Sequence, residues 1–155
     1  LKPLDVVIYQ GYFWNPLTYV IGTRTSTFWT HAGIILSATG LCMEAKEGGV
    51  QKTQFNQKRK HKIIRYNGGL TEEEQSKLMS WLLSKEGCGY EYKSYLGYLF
   101  GFKTPYLNDP NEFVCVELAS EMFDQNDIDI WGCEKPTYVY PSDMLQNPFF
   151  DEIED

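Results

Sequence analysis

The chain has 155 residues, enough for one domain with a substantial buried core. Hydrophobic residues make up 43% and aromatic residues 15%, the composition of a packed globular domain rather than a disordered one. A formal charge of −7 argues against nucleic acid as the main partner, because duplex binding needs a basic surface.

No apolar run approaches the roughly 20 residues that span a bilayer. Pro16-Leu17-Thr18-Tyr19-Val20-Ile21 is too short and ends at Gly22. No signal-peptide pattern is visible. The chain opens on Leu1 rather than Met, so a leader or neighbouring domain is compatible with it, and localisation and oligomeric state stay open. Cys42, Cys88, Cys115 and Cys133 are widely spaced with no close pair, which speaks against a metal site. Reduced thiols are the expectation for a domain of this size, and no cofactor motif stands out.

In chain order, Asp5-Val6-Val7-Ile8-Tyr9 reads as a short buried strand, followed by the aromatic segment Tyr12-Phe13-Trp14. Asn15-Pro16 has the chemistry of a helix start, and Gly22 to Thr30 that of a loop. Strands are expected at His31 to Ser37, Leu41 to Ala45, Val50 to Phe55 and Lys62 to Tyr66, with Ala38-Thr39-Gly40 as a hairpin turn. The basic run Lys58-Arg59-Lys60-His61-Lys62 fits a solvated connection.

Thr71 and Glu74 form a capping-box pattern that opens a helix ending near Gly87. The aromatic stretch Gly89 to Phe102 could hold a helix from Tyr92 or Lys93. Asp109-Pro110-Asn111-Glu112 predicts a helix running to about Gln125. The remainder reads as loop, with a short turn at Ser142-Asp143-Met144-Leu145, a peripheral tail over about 148–155 and, within it, a frayed acidic terminus from Asp151 to Asp155. The pattern is α+β: a small antiparallel sheet or half-barrel packed against helices, in one domain over residues 1–155.

Three residues carry chemistry. Cys115 sits near a helix start, where the dipole lowers a thiol pKa, although the effect fades beyond the first turn. His31 opens an apolar strand after a polar loop, whereas His61 lies in the basic run, so a base role falls on His31. A carboxylate on the next strand could fix its tautomer. Hairpin register decides which one: a two-residue turn puts Glu44 on the His31 face, while pairing Ser37 with Leu41 puts Glu47 opposite it. The apolar surroundings of Met43-Glu44-Ala45 favour Glu44, since an acid there needs a partner. Taken alone, Cys115 reads more readily as a core cysteine than as a nucleophile.

At these residues the chain resembles the circularly permuted NlpC-type papain-like cysteine hydrolases, the YiiX-like branch. The likeness spans most of the chain. It rests on Leu4-Asp5-Val6-Val7, Thr30-His31-Ala32-Gly33-Ile34-Ile35, Met43-Glu44-Ala45 with Gly49-Val50, and Leu70-Thr71-Glu72-Glu73-Glu74-Gln75. Further along are Gly87-Cys88-Gly89-Tyr90-Glu91-Tyr92, Val114-Cys115-Val116-Glu117-Leu118 and Tyr140-Pro141-Ser142-Asp143-Met144. Glu91 stands where the family carries Asp, and Val116 where Ser is usual beside the cysteine.

The resemblance implies a permuted papain-like fold and a thiol hydrolase of the amidase or peptidase class. Cys115 would be its nucleophile, His31 its base and Glu44 the orienting acid, with no metal or other cofactor. It implies a substrate among peptides, cell-wall peptides and lipids. A lipid-directed acyltransferase or lipase is the nearest alternative. A non-catalytic binding or virion module, using the aromatic segments Tyr12-Phe13-Trp14 and Tyr95 to Phe102 as a contact surface, is the alternative outside enzymology.

Overall fold

A computed structural model describes residues 1–11, 27–90, 111–132, 136 and 139–154. Its centre is a six-stranded antiparallel sheet made by β1 (Val6–Gln10), β2 (Trp29–Ile35), β3 (Leu41–Lys46), β4 (Gly49–Gln54), β5 (His61–Tyr66) and β8 (Phe150–Ile153). The spatial order is β4-β3-β2-β1-β5-β8. Two further strands, β6 (Gly89–Tyr90) and β7 (Glu112–Phe113), form a short parallel pair. Three helices complete the described elements: α1 (Glu72–Ser84), α2 (Cys115–Asp124) and α3 (Pro141–Gln146).

Strand alternation divides the core in two. Val6, Ile8, Ala32, Ile34 and Met43 face the helices, together with Leu78 and Leu82 of α1 and Leu118 and Met122 of α2. Val7, Tyr9, Ile35, Cys42 and Ile63 face the other way, under Phe55. Because β1 is buried on both faces, it reads as an unbroken apolar run. The connection from β4 to β5 has to pass four strand spacings, about 19 Å in a flat sheet. Residues 55–60 make that crossing while also forming a turn, with Arg59 N–H donating to Asn56 O at 3.1 Å. Such a short strap requires the sheet to curl.

The hairpin Ser37-Ala38-Thr39-Gly40 closes with Gly40 N–H to Ser37 O at 3.0 Å, and Gly40 takes φ +83°, a conformation natural to glycine. This turn sets the β2–β3 register at Ile34 opposite Met43 and Ile35 opposite Cys42. Helix α1 has the expected capping box: Glu74 N–H to Thr71 Oγ1 at 3.2 Å and Thr71 N–H to Glu74 Oε2 at 2.8 Å.

Four expectations are corrected. The helix holding Cys115 does not start near Asp109 or Asn111, since Glu112 and Phe113 are extended and pair with Gly89 and Tyr90. The helix begins at Cys115 itself, after Val114 as N-cap. The acidic tail does not fray. Phe150 is buried against Tyr66 and Phe123, Glu152 Oε2 meets Lys62 Nζ at 2.6 Å, and the segment forms edge strand β8. The basic run is not a free loop: His61 and Lys62 belong to β5, and the Arg59 guanidinium lies 4.8 Å over the Tyr9 ring. The expected turn at Ser142 is helix α3, in which Asp143 Oδ2 accepts the Tyr140 N–H at 2.8 Å. The helix start at Asn15-Pro16, the stretch from Tyr92 to Phe102 and both aromatic contact segments lie outside the described residues.

Candidate functional site

Cys115 is the first residue of α2, and its helix packs on β2 and β3. Residues Cys115, Leu118, Ala119 and Met122 form one buried face at helical spacing, which fixes the rotation that brings the thiol to the sheet. At the first helical position the unsatisfied N–H groups and the positive end of the macrodipole act on the sulfur directly.

The sheet is open where the thiol arrives. On β2 the N–H of Ile35 points to β1 and donates to Asp5 O at 2.8 Å, while the N–H of Leu36 points to β3 and donates to Leu41 O at 2.7 Å. By alternation the Ala32 N–H also points toward β3. Yet the β2–β3 ladder contains only the pairs at Ile34 and Ile35, so Ala32 has no cross-strand partner there. Its N–H goes to the Cys115 sulfur, which the Val116 N–H approaches as well.

His31 lies opposite Tyr9, and the two rings stack with centroids 5.8 Å apart and planes at 20°. The imidazole hydrogen-bonds Cys115 on one side. On the other, its Nε2 lies 3.5 Å from Glu44 Oε2. The observed register puts Glu44 opposite Gly33 and on the His31 face, so the carboxylate reaches the histidine on a diagonal. Glu47 lies exposed in the β3–β4 turn. Thus the three candidate residues meet, and the acid that meets His31 is Glu44.

The charges are mutually supporting. Burial pushes the Cys115 thiol up, but the His31 charge and hydrogen bond, with the two N–H donors, outweigh it and hold the thiol below its ordinary value. Burial pulls His31 down, yet Cys115 and Glu44 together raise it to about 9. Glu44 is buried, which favours its neutral form, but His31 and Lys46 keep it below the usual carboxylate range. The Lys46 Nζ sits 3.8 Å from Glu44 Oε2. A thiolate–imidazolium pair backed by a carboxylate is the arrangement these groups favour. Cys42 is the contrast: buried near Glu44, it is pushed up to about 12.

Four contributors were not singled out in the sequence: Tyr9, Gly33, Lys46 and the Ala32 N–H. A signal exists only for Gly33, since an isolated glycine inside an apolar strand marks a close approach.

No known family model matches the sequence, and no curated protein matches it. Among solved structures the chain is similar to the metalloprotein yiiX from Escherichia coli, with a TM-score of 0.63 and 16% sequence identity. The match covers 99% of this chain and 96% of that one. The fold is YiiX-like. That neighbour is named a metalloprotein; among the described residues here, no group of three or more His, Cys, Asp or Glu is placed to hold a metal ion. No helix among the described residues is long and apolar enough to cross a membrane.

Proposed function

We propose that residues 1–155 form one circularly permuted papain-like domain that acts as a thiol hydrolase on an amide or ester bond. The observation that carries this reading is the continuous chain from Cys115 through His31 to Glu44, with the thiol at the first position of a helix. The Cys115 thiolate attacks the carbonyl carbon, and its electron pair forms the C–S bond while the carbonyl oxygen becomes an oxyanion. Backbone N–H groups at the start of α2 supply positive dipole to that oxygen. As the tetrahedral adduct collapses, the His31 imidazolium gives its proton to the departing amine or alcohol. Neutral His31 then takes a proton from water, whose oxygen attacks the thioester and returns Cys115 as thiolate. Glu44 orients the ring and favours its protonated form.

The test is acyl-enzyme capture. The protein is mixed with p-nitrophenyl esters and with peptide p-nitroanilides, quenched in acid and analysed by intact and peptide mass spectrometry. A burst of nitrophenol or nitroaniline with an acyl mass on Cys115, absent from Cys115→Ala, is the expected result. Absence of an adduct from both substrate types, or an adduct on other residues only, overturns the reading.

A further inference from the structure

Gly33 stands two residues beyond His31 on the same face of β2. A Cβ built at Gly33 would lie 2.9 Å from Glu44 Cγ, 3.2 Å from Glu44 Oε1 and 3.3 Å from Val7 Cγ1. Ordinary carbon contacts are 3.5–4.0 Å. The Glu44 side chain therefore rests in the space that any other residue at position 33 would fill. The strand itself makes no demand for glycine: Gly33 lies within regular β2, is absent from the positive-φ positions, and would gain backbone order from a Cβ. What its missing side chain accommodates is the carboxylate.

We infer that Gly33 is a positioning residue: the absence of its side chain makes the seat from which Glu44 reaches His31. The inference rests on the reading of Cys115, His31 and Glu44 as one site, and deepens it. The seat has a floor and two walls. Gly33 is the floor, Val7 closes the side toward β1, and Lys46 holds the same carboxylate oxygen that faces His31. Gly33→Ala forces something to move. Val7 is fully buried, whereas Glu44 is the longer and more flexible chain, so the acid leaves the histidine. Other groups facing the His31 ring are untouched by the change: Cys115 from α2 and Tyr9 from β1, whose ring carries the Arg59 guanidinium, while Lys46 from β3 pairs with Glu44 rather than with the ring.

The readout is the His31 titration midpoint, followed by NMR in protein carrying 13C-labelled histidine. From its starting value of about 9, Gly33→Ala lowers the midpoint by about one pH unit or more. Glu44→Gln lowers it comparably, and the double variant lowers it no further, because both changes remove the same interaction. A Gly33→Ala midpoint equal to wild type overturns the inference, and so does a shift that adds to that of Glu44→Gln. Should Gly33→Ala fail to fold, Gly33→Ala/Glu44→Ala removes the two closest atoms in conflict, leaving the 3.3 Å approach to Val7, and recovers folding toward the level of Glu44→Ala; no recovery also overturns it. These midpoints do not require turnover. Loss of acyl-enzyme formation with an unchanged Gly33–Glu44 coupling would reject the hydrolase and leave the seat standing.

Discussion

The contrast between two buried cysteines yields a sharp expectation. Cys42 and Cys115 are both buried, but burial raises Cys42 to about 12 while His31 and the start of α2 hold Cys115 below its ordinary value. At pH 7 a thiol near 12 is ionised in roughly one molecule in 100,000, against about one in 100 for an ordinary thiol near 9. Ionisation alone therefore separates Cys42 from even an ordinary cysteine by about 1,000-fold. Thiolates of higher pKa are better nucleophiles, and a Brønsted slope of about 0.4–0.5 returns roughly 15–30-fold of that. A net advantage of at least ~30-fold remains for Cys115. The assay is timed iodoacetamide labelling of the native protein at pH 7, with each cysteine quantified by peptide mass spectrometry. His31→Ala removes the largest opponent of burial at Cys115 and slows its labelling by ~10-fold or more, leaving Cys42 unchanged. Rates for Cys42 and Cys115 within threefold of each other, or a Cys115 rate indifferent to His31→Ala, would refute the reasoning.

The same pair shapes stability against pH. His31, raised from 6.5 to about 9, contributes stability that is complete below 6.5 and lost as pH rises through about 9. Cys115, lowered from 9, contributes stability present above 9 and lost as pH falls through its folded value. Below 9 the two slopes oppose each other for as long as Cys115 stays ionised in the folded protein, so urea midpoints are expected to vary less with pH there than His31 alone would make them. In Cys115→Ser burial is opposed at His31 by Glu44 alone, so the histidine titration midpoint drops from its wild-type value of about 9; a midpoint unchanged from wild type would contradict the ion pair. Away from the site, Arg65 grips the buried Asp5 carboxylate through Nε–Oδ1 at 2.7 Å and Nη2–Oδ2 at 2.9 Å. Arg65→Met strands that charge and is expected to cost about 3 kcal/mol in urea unfolding, a value at the low end because Arg65 is partly exposed. A loss below ~1 kcal/mol would mean that water or the Lys2 N–H, 2.7 Å from Oδ2, suffices.

Which features were legible follows from the range of the forces behind them. Strand positions were readable because short apolar runs bounded by turn residues specify them locally, and Thr71 with Glu74 marked α1 for the same reason. The start of α2 was not. Asp109-Pro110-Asn111-Glu112 is a strong local start signal, but Glu112 and Phe113 pair with Gly89 and Tyr90, a long-range contact that overrides it. The acidic tail misled in the same way. Asp151 and Glu152 read as solvated termini, while what holds the segment is Phe150 under Tyr66 and Phe123 and the ladder to β5.

The choice between Glu44 and Glu47 turned on register, which one four-residue turn settles and which no composition encodes. Least legible was the meeting of thiol and imidazole. It depends on a ladder that ends early: had Ala32 paired with Ala45, its N–H would have been spent on a carbonyl and β3 would have closed the space α2 enters. The gap gives the helix start a place at the sheet, and Gly33, next in line, gives Glu44 room beside it. One interruption in strand pairing supplies the donor for the sulfur and one missing side chain the space for the acid, which is why the three residues share a site although each is held by a different element.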